Sequence, residues 1–380
     1  MKYVFKNKFY IFLITIFDFV GKIFSSFFPK KKSIKNIDNI LLVRLDHLGD
    51  VIHSLFIQQI LKKYYPNAKI TFLVSSGMRE IVASNPFVDG VICFEAGWFN
   101  RDLKNKSSIK DIFKLIKELS SFKFDVGFDL RGDVRHILIM YLSKVKFKIG
   151  YGITGGKFLL ELCPQYQKEL SESDKNIRLV EQFLKNNLTI DKDFNIDGKI
   201  SYDYLPFTPL EELNSKFDLG MPTPYILIHP FAGASSRMLP KEKWIDLISS
   251  LHNKYKNIGI IVAGRSNDTD FKLEGKNIIN LVNKTTFKDL IGLCKVARLM
   301  ISCNSGPAHI AYALNKPLLV IASGTNTIDN WFASSQNTRI IQKKTSCYDC
   351  QSEKCLKKRH ECMENISVEE IMNEVNKLIS

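Results

Sequence analysis

Residues 40–50 read Ile40-Leu41-Leu42-Val43-Arg44-Leu45-Asp46-His47-Leu48-Gly49-Asp50. The apolar run is too short for a helix and closes on a polar turn, which marks a strand buried on both faces. The turn at 46–49 leads into an apolar helix expected over residues 51–65, ended by Pro66 and Asn67. A fully apolar strand followed by a helix opens a parallel βαβ unit.

The same alternation continues outward. Strands are expected at 69–74, 90–94, 124–129 and 145–149, with helices at 77–84, 109–120, 134–143 and 170–187. Residues 191–224 are polar, irregular and contain proline, which suits a domain connection. The pattern then restarts, with strands at 225–229, 258–263, 278–281, 298–302 and 318–321. Helices are expected at 241–254, 287–295, 307–314 and 367–379. The fold class is therefore α/β, with two Rossmann-like, doubly wound parallel sheets in tandem. The expected domains are an N-terminal segment over 1–39, a first Rossmann-like domain over 40–205 and a second over 206–380. Ligands of such sheets bind at the carboxyl ends of strands, so a cleft between two such edges is expected.

Composition narrows the partners. Hydrophobic residues at 45% and charged residues at 24% are those of a folded protein. A net charge of +15 calls for anionic company. No helix-turn-helix or RNA-binding signature is present, and the aromatics lie inside apolar runs, so phosphates and lipid head groups are expected rather than nucleic acid. Cys93, Cys163, Cys294 and Cys303 lie singly within or beside apolar stretches and read as buried thiols of a reducing compartment.

Residues 9–28 read FYIFLITIFDFVGKIFSSFF, with Lys2, Lys6 and Lys8 before and Lys30, Lys31 and Lys32 after. Ser25-Ser26-Phe27-Phe28-Pro29 is a poor signal-peptide cleavage site. Asp18 and Lys22 oppose a membrane span but stand four apart on one helical face. The expectation is a peripheral membrane anchor lying in the interface, with that face toward water. An amphipathic helix packed on the protein's own body is the alternative.

Four loops carry candidate chemistry. Gly150-Tyr151-Gly152-Ile153-Thr154-Gly155 matches G-x-G-x-x-G, but no acidic strand end follows about 20 residues on, so it reads as a plain loop. Asp50 follows a turn made tight by Gly49, either as a helix cap or as a general base at a strand's carboxyl edge. Ser302-Cys303-Asn304-Ser305-Gly306-Pro307-Ala308-His309 is a strand end, a Gly turn and a helix start with proline. It is either an anion site or an ordinary turn capped by Ser305. Gly233-Ala234-Ser235-Ser236-Arg237-Met238-Leu239-Pro240 is a second strand-to-helix loop, either solvated or a phosphate site built on Arg237.

Taken together these segments resemble glycosyltransferase family 9, the lipopolysaccharide heptosyltransferases, from about Ile40 onward. Leu48-Gly49-Asp50-Val51-Ile52-His53 resembles the family's opening signature. Asn304-Ser305-Gly306-Pro307-Ala308-His309 resembles its Asp-Ser-Gly-Pro-x-His stretch. Arg237-Met238-Leu239-Pro240 and Asn283-Lys284-Thr285-Thr286 match two further turns in the family's order. The resemblance implies a GT-B fold and an inverting, metal-independent transfer of heptose from ADP-heptose to the lipopolysaccharide or lipooligosaccharide inner core, without a cofactor. It implies Asp50 as catalytic base. It also implies donor contacts from Ser235, Ser236, Arg237, Lys284, Thr285, Asn304, Ser305, Gly306, Pro307 and His309. Acceptor contacts are expected from Gly49, Arg131 and Arg135, the arginines alternatively marking a solvated helix start. The implied partners are a nucleotide sugar, an anionic lipid-linked oligosaccharide and the membrane surface, at the cytoplasmic face of the inner membrane. Asn304 stands where the family usually has Asp, which keeps hydrogen bonding and drops a charge. Arg237 stands where it usually has Lys, which turns a point charge into a fork.

Cys347, Cys350, Cys355 and Cys362, with His360 among them, have near-metal spacing. The spacing is irregular and lacks a second Cys-x-x-Cys, so thiols without metal are the expectation, in a structural role.

Overall fold

The computed structural model describes residues 8–27, 33–98, 107–188, 202–220, 224–266, 273 and 275–379. The chain divides into two compact units, Met1–Ile200 and Ser201–Ser380.

Unit 1 begins with α1 (Lys8–Ser25) and continues through β1 (Asn39–Val43), α2 (Leu48–Ile52), α3 (Ile57–Tyr64), β2 (Lys69–Val74), α4 (Arg79–Ala83) and β3 (Gly90–Cys93). Next come α5 (Ile109–Ser121), β4 (Val126–Asp129), α6 (Val134–Leu142), β5 (Phe147–Gly150) and α7 (Glu172–Asn187). All five strands are parallel, in the order β3-β2-β1-β4-β5. Ile40, Leu41, Leu42 and Val43 are fully buried, as an apolar run covered on both faces must be.

The helix expected over 51–65 is broken. Ser54 turns both its amide and its hydroxyl onto the Val51 carbonyl, at 2.9 and 2.7 Å. That tighter bond displaces the i−4 ladder, and the chain restarts as α3.

Unit 2 holds α8 (Leu210–Phe217), β6 (Tyr225–His229), α9 (Lys241–Lys254), β7 (Gly259–Gly264), β8 (Ile278–Val282) and α10 (Phe287–Val296). It continues with β9 (Leu299–Cys303), α11 (Gly306–Ala313), β10 (Leu318–Ala322), β11 (Thr338–Gln342), α12 (Glu361–Glu364) and α13 (Val368–Ile379). Its parallel strands run β11-β10-β9-β6-β7-β8. Read from β8, this is the 3-2-1-4-5-6 order of the dinucleotide-binding sheets. Part of the connection expected at 191–224 lies outside the described residues, namely 191–201 and 221–223. Within the rest, α8 replaces the expected irregular chain. Its buried face is little more than Leu213, too weak a pattern to read as a helix. Strand β11 was likewise unforeseen, because Thr-Arg-Ile-Ile-Gln offers only two apolar residues to an edge position.

Helix α1 packs the opposite way round from the sequence expectation. Asp18 faces the protein, where its Oδ1 accepts the Gly156 amide at 2.8 Å, while Lys22 stays exposed. The physical reason is the loop after β5. Gly152, Gly155 and Gly156 all have positive φ, which turns an amide outward that a carboxylate satisfies. Gly21 lets the Phe158 ring lie where a Cβ would be only 2.1 Å away. The G-x-G-x-x-G stretch leads into a short 3-10 turn at Lys157–Leu159 rather than into a phosphate-binding helix. Among the described residues no helix is long and apolar enough to cross a membrane.

Candidate active site

In each sheet the chain starts at a central strand, winds outward one way, then returns to build the other side. The turnover falls between β1 and β4 in unit 1 and between β6 and β9 in unit 2. Strands diverge in connection there, so the loops at their carboxyl ends part and leave a crevice for a ligand. Asp50 and the Arg131–Arg135 stretch follow β1 and β4. Arg237 and the Asn304–His309 stretch follow β6 and β9.

Arg44, the residue after β1, organises the first crevice. Its side chain is buried, with Nε on Asp46 Oδ1 at 2.8 Å and a second nitrogen on Asp50 Oδ1 at 2.8 Å and Glu172 Oε2 at 3.2 Å. It also donates to the Leu130 carbonyl. Asp46 completes its own pairing with Arg131. Asp50 accepts the His47 amide on Oδ2 at 3.3 Å, so it both caps α2 and joins the ionic cluster. The two readings of Asp50 left open above are therefore compatible.

The environments of the two aspartates diverge. Burial pushes the Asp50 carboxyl up, and neighbouring Asp46 adds to this, with Arg44 and Arg131 opposing; it settles at about 6. Burial pushes Asp46 up too, but Arg44 and Arg131 outweigh it and hold it at about 2. Glu172 is lowered, burial being outweighed by Arg44 and Lys175. Two adjacent carboxyls driven apart in this way leave one permanent anion and one group able to exchange a proton near neutrality. Burial also holds His53 neutral, at about 4; its Nδ1 meets the Ser173 hydroxyl at 2.9 Å.

Arg131 and Arg135 are both engaged by acids. Arg135 grips Asp133 in a fork, 2.8 Å from Nε and 2.5 Å from its terminal nitrogen, and lies 5.0 Å over the Trp98 ring. Asp133 caps α6 through the Arg135 amide. Gly49 is buried in the first turn of α2. Beside it a small cavity of about 200 Å³ is lined by Asp46, His47, Leu48, Ser75, Met78 and Glu95.

The second crevice is almost uncharged. His229 ends β6, buried and held neutral by that burial at about 4. Its Nδ1 lies 3.4 Å from the Ser305 hydroxyl, which lies 3.3 Å from Ser302 Oγ. Gly264 makes room for it, since a Cβ there would stand 2.8 Å from His229 Nε2. Ser305 occupies the N-cap of α11 without a side-chain capping bond, and Pro307 follows in the first turn. The hydroxyl lies between His229 and Ser302 instead of closing the helix. Asn304 lies 3.5 Å from Asn326, through its Nδ2. His309 is packed as an aromatic, stacked on Phe332 at 4.5 Å and edge-on to Trp331.

Ser235, Ser236 and Arg237 form a 3-10 turn, with Arg237 half-buried. Ser236 is already engaged by its own chain: its hydroxyl donates to Ser352 at 2.6 Å and its amide to Glu353 at 3.1 Å. Its carbonyl meets His360 Nε2 at 3.0 Å. These bonds tie down the turn that carries Arg237. Lys284 and Thr285 follow β8, two strands away from β6 and so about 10 Å along the sheet. Asn283, at φ +63, ties that turn to Ser266 with bonds of 2.9 and 2.8 Å.

No disulfide joins any of the eight cysteines. Among the described residues no group of His, Cys, Asp and Glu is gathered to hold a metal ion. Cys362 lies in the core of unit 2, and Cys355 Sγ contacts the Arg359 carbonyl at 3.9 Å. Sequence reasoning missed Arg44, Asp46, Glu172, His229 and Ser302. Arg44, Asp46 and His229 carry one readable signal, a polar residue at the carboxyl end of an apolar strand.

Two parallel doubly wound sheets in tandem place the chain in the GT-B class of α/β proteins. Residues 112–360 match the model of Glycosyltransferase family 9 (heptosyltransferase), more than half of the chain, and the protein belongs to that family. It is a glycosyltransferase. Lipopolysaccharide heptosyltransferase 1 of Campylobacter coli is 23% identical over 360 residues, covering 89% of this chain and 98% of that protein. Lipopolysaccharide heptosyltransferase 3 of Escherichia coli K12 is 26% identical, over 77% and 84%. Among solved structures, the ADP-heptose heptosyltransferase II of E. coli superposes with a TM-score of 0.65 at 19% identity, covering 90% and 98%. E. coli heptosyltransferase WaaC with ADP-2-deoxy-2-fluoro heptose gives 0.63 at 15%, covering 89% and 99%. The family match begins after Asp50, so the weight on that residue rests on its surroundings.

Proposed function

We propose that the protein transfers heptose from ADP-heptose to the inner core of a lipopolysaccharide or lipooligosaccharide, with inversion and without a metal. The carrying observation is the divergence of Asp46 and Asp50 under one buried arginine. Asp50 takes the proton of an acceptor hydroxyl, whose oxygen attacks the anomeric carbon as the bond to the nucleoside diphosphate breaks. A single displacement inverts that carbon. A base titrating near the working pH combines availability with driving force. Arg237 and the first turn of α11 receive the departing diphosphate, with Ser305 as a hydroxyl donor. Lys284 and Thr285 stand far enough along the sheet to meet the nucleoside end of the donor. Gly49, Arg131 and Arg135 belong to the acceptor side, where Arg131 reaches a core phosphate only by sharing or leaving Asp46. In this reading residues 40–205 take the acceptor and 206–380 the donor, while the compact units divide between Ile200 and Ser201. A lipid-linked acceptor places the work at the cytoplasmic face of the inner membrane.

Asn304 supports a second reading, in which the same chemistry moves another sugar to another surface glycan. Nucleoside diphosphate release, measured over a panel of sugar donors with and without chelator, separates the two. ADP-heptose turning over fastest, unaffected by chelator, supports the first reading, and loss on chelation sinks the metal-independent mechanism. Asp50→Asn should lower kcat by about 10²–10⁴. Near-normal turnover in that variant removes Asp50 as base.

A further inference from the structure

Helix α1 has an unusual division of faces. Toward the protein it turns Ile11, Ile14, Thr15, Phe17, Asp18, Gly21 and Ser25, none of them fully exposed. Toward solvent it turns Phe9, Tyr10, Phe12, Leu13, Ile16, Phe19, Val20, Ile23 and Phe24, each at least 44% exposed. The inner face mixes Thr15, Asp18, Gly21 and Ser25 with Ile11, Ile14 and Phe17, and the outer face is a continuous apolar band with exposed Lys22 at its flank. A packed surface helix has the reverse arrangement. Folded proteins seldom leave so large a contiguous apolar patch without a partner.

Charge selects the partner. Asp18 is the sole acid among residues 1–37, while Lys2, Lys6, Lys8, Lys22, Lys30, Lys31, Lys32 and Lys35 share that stretch. The carboxylate of Asp18 is turned inward onto the Gly156 amide. Between α1 and the turn after β5 runs an open groove of about 570 Å³, with Lys22 and Lys157 beside Ser25, Phe19 and Phe158. It also carries Asp18, whose Oδ1 is taken by the loop. Cations and hydroxyls next to aromatic rings suit a phosphate head group with its acyl chain. A second copy of the same surface would bring these lysines against each other.

We infer that α1 is a membrane-docking blade: its apolar band enters the acyl boundary of an anionic bilayer, and the Lys22–Lys157 groove takes a lipid phosphate. The helix is held in that attitude by Asp18 and Gly21, which grip the glycine-rich loop of the catalytic fold. At 18 residues it is about 27 Å long, enough to lie along the interface over five turns. The docking deepens the transferase reading above and rests on it for the identity of the acceptor, which is held in the same surface.

Flotation of the full chain with vesicles tests the docking without any turnover. With vesicles rich in phosphatidylglycerol the wild type should float, and with phosphatidylcholine alone it should float at least tenfold less. Phe12→Ser, Phe19→Ser and Phe24→Ser combined should lower anionic-vesicle binding at least tenfold, while Phe113→Ser, exposed on α5, leaves it unchanged. Thermal melting confirms that the triple variant is folded, and Lys22→Glu with Lys157→Glu gives a second, milder loss. Equal flotation of the triple variant overturns the proposal. So does a wild-type dimer in sedimentation that the triple variant disperses, which makes a second copy the occupant. Turnover on a water-soluble acceptor should be the same in wild type and triple variant. Its absence in both, with flotation intact, counts against the transferase reading alone.

Discussion

The two switch points are built from opposite materials. Behind β1 and β4 lie formal charges, Arg44 and Arg131 against Asp46, Asp50 and Glu172, almost all removed from water. Behind β6 and β9 lie neutral groups, His229, Ser302, Asn304 and Ser305, with Arg237 at the rim. Under the proposed mechanism the contrast has a physical reason. Proton transfer needs a carboxyl whose affinity is set by fixed neighbouring charges. Reception of a diphosphate needs oriented donors and a local positive end, and a built-in carboxylate there would repel the ligand. Asn304, a neutral amide, carries the second region further toward neutrality than an aspartate there would.

The contrast should show first in stability. Arg44→Met leaves three buried carboxylates without their shared cation and should cost about 3–5 kcal/mol in urea unfolding. Ser302→Ala, in the neutral region, should cost about 1 kcal/mol. Similar costs for both would show that the charged cluster is no more structural than the neutral one. In kinetics the second region should show through the donor KM. Arg237→Ala should raise the donor KM about 10- to 100-fold, the value of a charge-assisted bond, with Arg237→Lys recovering part of it. An unchanged KM would move the diphosphate away from this loop.

The smallest effect is on pH dependence. With Asp50 as the proposed base, kcat/KM should fall about tenfold per unit below its value of about 6 and level off above it. The stability sign is opposite. A carboxyl raised on folding favours the protonated fold, and its stabilising contribution is lost as pH rises through about 6. Asp50→Asn should abolish the acid limb and melt no lower than wild type at pH 7. An acid limb that survives in that variant belongs to another group.

Much of the fold could be read from residue order. Strands such as Ile40–Val43 are buried on both faces, and that burial writes itself as an unbroken apolar run. Asp50 and Asn304 were visible because they stand at strand-to-helix turns. The ionic cluster was not, since Arg44 and Glu172 lie 128 residues apart and only the closed sheet brings them together. Strand β11 escaped because an edge needs little apolar surface. For α1 the apolar periodicity gave the stripe but not its direction. That was decided by three positive-φ glycines with an amide to satisfy.

The tie between Ser236 and the segment from Ser352 to His360 has a consequence for biosynthesis. The turn carrying Arg237 takes its shape from residues that leave the ribosome up to 124 positions later. At about 5–20 residues per second this delay is roughly 6–25 s. During that interval β6 through β10 can assemble their sheet, but the turn lacks the bonds that Ser236 makes to Ser352 and His360. A nascent chain thus holds the strands of its second sheet before it holds the bonds that shape the turn after β6.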